Sequence, residues 1–198
     1  MYIIGIDEVG RGSLAGPVVV AVVALPKKWH AFRLRDSKKL TPRSREEFFK
    51  YAKDSPTIFY AVSRVYQRNI DKINISKSAD LAATRAFLKL VEREKILCRK
   101  NVYLDGGLYM YASMLRAAGL RLSPRTIIKG DEKINAIKFA SIVAKVTRDR
   151  YMVKLHKLYP KYGFDIHKGY GTKSHRRAIR RHGLSDVHRK SFKVKYPA

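Results

Sequence analysis

The chain is poor in cysteine, in acid and in long apolar runs, and each shortage excludes something. Cys98 is the only cysteine in 198 residues, so no intrachain disulfide and no thiolate-rich zinc site is possible, and a reducing cytoplasm fits. Acids number 16 against 43 Lys plus Arg, a net charge of +27. A surplus that large implies a polyanionic partner or an anionic surface. The longest apolar run, "VVVAVVAL" at 18–25, is far short of the ~20 residues that span a bilayer. No basic leader precedes the first apolar run and Asp7 interrupts it, so no secretory signal is expected and nucleic acid is the favoured partner. A thermophilic source also suits a Lys/Arg-rich chain, and composition does not separate the two. There is no internal repeat and no low-complexity tract.

What is present is enough apolar residue, 45%, to build a core in spite of the charge. Length suggests one domain with at most a small appendage. "YIIGI" and "VVVAVVAL" read as strands around the glycine-rich "GRGSLAGP". Thr41 and Pro42 open a helix through "RSREEFFKYAK", and "TIFYAVSRV" at 57–65 reads as a third strand. Helical spacing runs from about 75 to 97. "NVYLD" reads as a strand, a short helix falls near 108–118, and "TIIKGD" reads as another strand. The clearest helix is 134–158, where Ile137, Ala140, Ala144, Thr147, Tyr151, Leu155 and Leu158 form one stripe. Strands first, then strands alternating with helices, predict an α/β fold with a mixed sheet. From about 160 the chain turns strongly basic, with one acid, Asp186, between Lys173 and Lys195. The expected division is a main domain over 1–160 and a small basic extension over 161–198.

The few acids sort into two groups. Glu46, Glu47, Asp54, Glu92 and Glu94 lie beside Lys or Arg in helical or loop segments, as solvated surface does. Asp7, Asp105 and Asp131 instead follow strand-like runs, and ligands of open α/β sheets gather at the carboxyl ends of strands. Converged carboxylates either share a proton or take a cation. Mg²⁺ accepts oxygen ligands and leaves positions for water and phosphate, and two such ions ~4 Å apart suit phosphodiester hydrolysis. Capping of turns by each Asp explains the same positions equally well. Asp7 and Glu8, as neighbours, share a site only if the strand ends at them.

Other groups stay open on the residues alone. Gly10-Arg11-Gly12 suits close approach of a phosphate or sugar, or an ordinary turn. Ser141, Lys145 and Arg148 share one polar stripe of the 134–158 helix, suited to phosphate or to the acidic cluster. Tyr170 stands between glycines in a basic segment, placed to stack on a sugar or base or simply to pack. Lys38 and Lys39 offer phosphate contacts or a solvated loop. The histidines at 167, 175, 182 and 188 show no zinc spacing.

Together, "GIDEVGRGSLAGPVVVAVV", "DSKKL", "LDGG", "IIKGDEKINAIKFASIVAKVTRD", "HKGYGTKSH" and "HRKSF" closely resemble ribonuclease HII, in order over nearly the whole chain. The resemblance implies a ribonuclease H-like fold, a central mixed β-sheet flanked by helices with a small C-terminal helical extension. It implies a metal-dependent endonuclease that cuts the RNA strand of RNA–DNA hybrids. It also implies nicking of DNA 5′ to single embedded ribonucleotides, with 3′-hydroxyl and 5′-phosphate ends. Carried over by position, the catalytic and metal-holding carboxylates are Asp7, Glu8, Asp105 and Asp131, with two Mg²⁺ or Mn²⁺ ions. Gly10, Arg11 and Gly12 match the reader of the 2′-hydroxyl, and Tyr170 the aromatic that stacks on the adjoining deoxyribose. Lys39, Ser141, Lys145 and Arg148 match positions near substrate. The sister ribonuclease HIII has an added N-terminal domain and lacks the Arg of the glycine motif, so Arg11 and the start at the first strand favour type HII. No sliding-clamp peptide is evident, and a cytoplasmic monomer is expected. The rivals are a non-catalytic nucleic-acid-binding module and a junction resolvase of related fold.

Overall fold

The unbroken apolar run of β2 (Val18–Pro26) is buried on both faces, as a strand with helices above and below must be. The computed structural model describes residues 1–29, 40–95 and 101–194. β2 pairs antiparallel with β1 (Tyr2–Val9) and with β3 (Phe59–Val65), while β4 (Val102–Asp105) and β5 (Arg125–Ile127) add parallel to β1. The strand order is β3-β2-β1-β4-β5, with β1 central.

Alternation along β1 and β2 sends Ile4, Ile6, Val18, Val20 and Val22 to one face, against α3 (Ile75–Glu94). Ala21, Val23 and Leu25 go to the other, against α1 (Pro42–Asp54) and α6 (Asn135–Leu158). Thr41 caps α1 as its sequence predicts, its hydroxyl accepting the Ser44 amide at 3.2 Å. Gly5 is where α6 crosses β1. A Cβ there would lie 2.1 Å from the main chain of Ala136 and Ile137, so only glycine permits the contact.

Several boundaries differ from the sequence reading. β1 does not stop at Ile6 but runs through Asp7 and Glu8, whose partners are Ala21 and Val20. A helix missing from the reading, α2 (Gln67–Ile73), precedes α3. The helix expected near 108–118 is α4 (Ala112–Ala117). The "TIIKGD" segment is strand only to Ile127 and then turns into one helical turn, α5 (Gly130–Lys133). α6 is buried nearly all round over its first half, whereas Leu158, expected on the core stripe, is 75% exposed. After α6 come a 3₁₀ turn (Pro160–Tyr162), α7 (Phe164–His167) and α8 (Lys173–His182). Their core is shared: Tyr162, Phe164, Ile179 and Val187 pack with Ala15, Met152 and Leu155. No helix among the described residues is long and apolar enough to cross a membrane.

Candidate active site

β1 and β4 run parallel, and Leu104 pairs with Ile6, so the next residue on each strand, Asp105 and Asp7, come level at the carboxyl end of the sheet. Asp7 lies on the α6 face and is 6% exposed. Its Oδ1 accepts the Glu8 amide at 2.7 Å, and Ser141 of α6 hydrogen-bonds it from above. Burial raises its pKa well above the usual carboxylate value, the charges of Glu8 and Asp105 add to this, and the two hydrogen bonds only partly offset it. Glu8 starts towards the opposite face. Its pKa is also raised, by burial first, against the pull of Arg11, whose Nη1 sits 3.1 Å from Oε1. Asp105 adds its charge to Glu8 as well. The strand does not end between them: both stay on β1, which runs on to Val9, and Asp105 on the neighbouring strand lies within electrostatic reach of each.

Asp105 Oδ1 accepts the Gly130 amide at 2.7 Å. That bond brings the first turn of α5 to the strand end, with Asp131 next in sequence and 6% exposed. Among the described residues no three His, Cys, Asp or Glu side chains stand ready-made as a metal cage. The donor set nevertheless fits a hard divalent ion. It is all carboxylate oxygen, Glu8 and Asp105 raise the proton affinity of Asp7 and Asp105 that of Glu8, and Glu8 Oε2 is buried with no hydrogen-bond partner.

The glycine loop that follows β1 is held from the far end of the chain. Leu14 donates to Gly169 O, Gly16 to Val187 O, and Arg189 N–H to Leu14 O, each at 2.8 Å. Two buried guanidinium groups bind its carbonyls. Arg148 donates to Pro17 O at 3.0 Å and Ala15 O at 3.1 Å, as well as to Ser13 Oγ and Lys168 O at 2.8 Å. Arg189 donates to Gly10 O at 2.7 Å, Arg11 O at 2.9 Å and Gly16 O at 3.0 Å. Burial lowers the pKa of both, Arg189 to about 9 with the charge of Arg148 contributing. Gly10 has φ +89°, and a Cβ there would meet Arg148 Nε at 2.2 Å.

This changes the reading of Arg148. It is 0% exposed with its donors committed to the loop and to Lys168, so it shapes the loop from within and does not face a substrate. Arg11 reaches from Glu8 to Gly107 O and Ser76 Oγ, tying β1 to the turn after β4 and to α3. Tyr170 pairs with Ser13, which puts its half-buried ring beside the loop, 5.4 Å from Arg148 Cζ and 5.9 Å from Lys145 Nζ. Lys145 is paired with Asp149 at 2.9 Å. Gly12 is exposed, and a Cβ on it would touch nothing in the protein. Lys39 lies outside the described residues. Of the residues that secure this arrangement, Arg189 escapes the sequence reading, and His175 and His188 enter it only as histidines without zinc spacing. The signal for a structural role was their place in "HKGYGTKSH" and "HRKSF".

Known proteins resemble this chain over nearly its whole length. The family model for ribonuclease HII matches residues 4–195. A ribonuclease HII of Endomicrobium trichonymphae is 44% identical over 188 residues, 95% of this chain and 83% of that protein. One from Treponema denticola is 39% identical over 193 residues, 96% of this chain and 98% of that protein. The crystal structure of the ribonuclease H2 from Pyrococcus horikoshii OT3 matches with a TM-score of 0.76 at 29% identity, covering 98% of this chain and 95% of that one. The fold is thus shared with a ribonuclease H2, and the chain belongs to the ribonuclease HII family.

Proposed function

We propose that this type 2 ribonuclease H hydrolyses the RNA strand of RNA–DNA hybrids and nicks duplex DNA on the 5′ side of single embedded ribonucleotides. The observation that carries the reading is one juxtaposition. Asp7, Glu8 and Asp105 gather at the carboxyl ends of adjacent strands, and the loop beginning at Gly10 leaves that same strand end towards Tyr170.

Asp7, Glu8, Asp105 and Asp131 are the groups that would hold Mg²⁺ or Mn²⁺. Ions bound there supply water activation and stabilise charge on the leaving oxygen. The protein's own part is placement. Ser141 and the Glu8 amide fix the Asp7 carboxylate, and the Gly130 amide fixes that of Asp105. With its carbonyls at Gly10 and Arg11 turned onto Arg189, the loop is left to offer main-chain N–H groups to a 2′-hydroxyl, the atom that distinguishes RNA. Gly12 has no internal reason to lack a side chain, and a sugar-phosphate strand lying against it supplies an external one. Tyr170 is placed to stack on the neighbouring deoxyribose, with Lys145 and Lys39 as phosphate contacts. Water oxygen joins the phosphorus while the bond to the upstream 3′-oxygen breaks. The products are a 3′-hydroxyl and a 5′-phosphate. The protein acts as a monomer in the cytoplasm, its exposed cations drawing in the duplex.

The test is an end-labelled duplex with one ribonucleotide, run beside its all-DNA counterpart, with and without Mg²⁺ or Mn²⁺. One nick 5′ to the ribonucleotide, dependent on metal, is expected. Equal cutting of both duplexes, or binding without cutting under either metal, would overturn the proposal.

A further inference from the structure

We propose that His175 and His188 form a directional hydrogen-bond relay that fixes the main chain of Tyr170 against the glycine loop, making both imidazoles positioning residues for the RNA-to-DNA junction contact. The proposal deepens the role given to Tyr170 above and rests on it.

The direction of the relay follows from its fixed end. His188 Nδ1 lies 2.9 Å from the Ser185 amide, which can only donate, and 2.8 Å from Ser185 Oγ. A ring nitrogen that accepts from an amide carries no proton, so neutral His188 carries its proton on Nε2. That nitrogen is 3.1 Å from His175 Nε2, which must then accept. His175 therefore has its proton on Nδ1, 3.0 Å from Tyr170 O, and donates to it. Each step leaves one choice for the next.

Both rings are buried, 0% and 1% exposed, and the surroundings favour the neutral forms. His167 stacks on His175 with centroids 4.3 Å apart. Like His188 it is neutral with its proton on Nε2, accepting the Gly169 amide on Nδ1 at 3.2 Å and donating to Tyr162 O at 2.7 Å through Nε2. Phe164 packs edge-on against His175 at 5.4 Å. A proton added to His175 would set its Nε2–H against that of His188, and one added to His188 would set its Nδ1–H against the Ser185 amide.

The relay also closes a circuit. Ser13 pairs with Tyr170, and Ala15 pairs with His188. The glycine loop is thus anchored on both sides of Leu14, and the two anchors are joined behind it through His175. Cutting the relay leaves Tyr170 held by Ser13 and its own turn, with its carbonyl keeping only the Thr172 amide at 2.8 Å.

Two experiments test this. In long-range ¹H–¹⁵N spectra of the labelled wild-type protein at pH 7, His175 should appear as the Nδ1–H tautomer and His188 as Nε2–H. The opposite tautomer, or a charged ring, at either position overturns the relay. The second experiment compares cleavage of the single-ribonucleotide duplex by Tyr170→Ala, His175→Gln and His175→Asn. The Asn amide nitrogen can stand where Nδ1 stood and keep the bond to Tyr170 O; the longer Gln reaches towards His188 instead. His175→Gln should lower kcat/KM about tenfold, the scale of one lost hydrogen bond, and His175→Asn should stay within about twofold of wild type. If Tyr170→Ala is impaired and His175→Gln is not, the relay does not position the junction contact. If Tyr170→Ala cuts normally, the assignment of Tyr170 itself fails and takes the relay's functional role with it, while the spectra still judge the tautomers.

Discussion

Acid should drain stability from this protein through the same two imidazoles. Burial holds His175 and His188 at about 4, against an ordinary 6.5. Between those values the unfolded chain takes up a proton at each site and the folded chain does not, so stability falls as pH drops from 6.5 towards 4 and is unaffected above that window. At ~1.4 kcal/mol per pH unit for each proton, each ring costs on the order of 3 kcal/mol at the bottom of the window. Allowing for their coupling, the pair costs ~5 kcal/mol, a large part of the roughly 5–15 kcal/mol that holds a domain together. The charged and titratable groups around them are His167, stacked on His175, with Asp165, Lys168 and His156 acting on His167 in turn, and Arg148 close to Tyr170. Asp7 and Glu8 work in the other direction. Their raised values make the folded chain bind protons first, which returns stability as pH falls. The difference between wild type and His188→Asn cancels that contribution. Urea unfolding from pH 7.5 to 4.5 should give a wild-type slope steeper than the variant's by ~1.4 kcal/mol per pH unit or more at the middle of the window. Parallel lines would mean that the imidazoles are charged in the folded protein, and the reasoning would fail.

Asp7→Asn and Asp105→Asn should each abolish cleavage while hybrid binding, measured by gel shift, persists. In metal-free buffer Asp7→Asn should also raise Tm, because it removes a buried charge repelled by Glu8 and Asp105; a lower Tm would mean that the cluster is not under electrostatic strain. Gly5→Ala should cost about 3 kcal/mol or more by urea unfolding, since its Cβ would overlap main chain of α6 that cannot yield. Arg189→Lys should lose most of the single-ribonucleotide cleavage and ~2–4 kcal/mol of stability, because one ammonium cannot span the Gly10, Arg11 and Gly16 carbonyls; near-wild-type behaviour in both assays would refute the clamp.

The parts legible in the sequence were those written in local pattern. β2 is a bare apolar run, α1 carries its cap and proline, and α6 has apolar residues at helical spacing over many turns. The acids at strand ends could be found because acids are scarce, so the ones that did not sit beside a cation stood out. α2 was missed because it has seven residues and buries one, Ile70, too little to register as a period. The end of β1 was misplaced because Asp and Glu are poor strand formers, and only pairing with Ala21 and Val20 keeps them extended. The spacing of Arg148 from Ser141 and Lys145 gives it a polar helix face suited to phosphate or to the acidic cluster, and the resemblance places it near substrate. Its true partners are carbonyls of Ala15 and Pro17, more than a hundred positions away, and carbonyls leave no mark in a sequence. The histidines fail for the same reason: 167, 175 and 188 match no metal spacing, yet the turns between them stack or bond the rings together.

The two halves of the site are therefore built by different physics. The carboxylates are delivered by the sheet, whose parallel register puts Asp105 level with Asp7 whatever the loops do. The glycine loop has no strand or helix of its own to set its shape. Its conformation is imposed by Arg148, Arg189 and the Tyr170–His175–His188 circuit, all drawn from α6 and the chain beyond it. Burying two guanidinium groups against carbonyls is costly, and each is stabilised only while the loop keeps its carbonyls turned inward. The loop and its clamp are consequently fixed together or lost together. Damage to the clamp should thus blunt discrimination of RNA from DNA, while leaving the Asp7–Glu8–Asp105 cluster, which the sheet holds, in place.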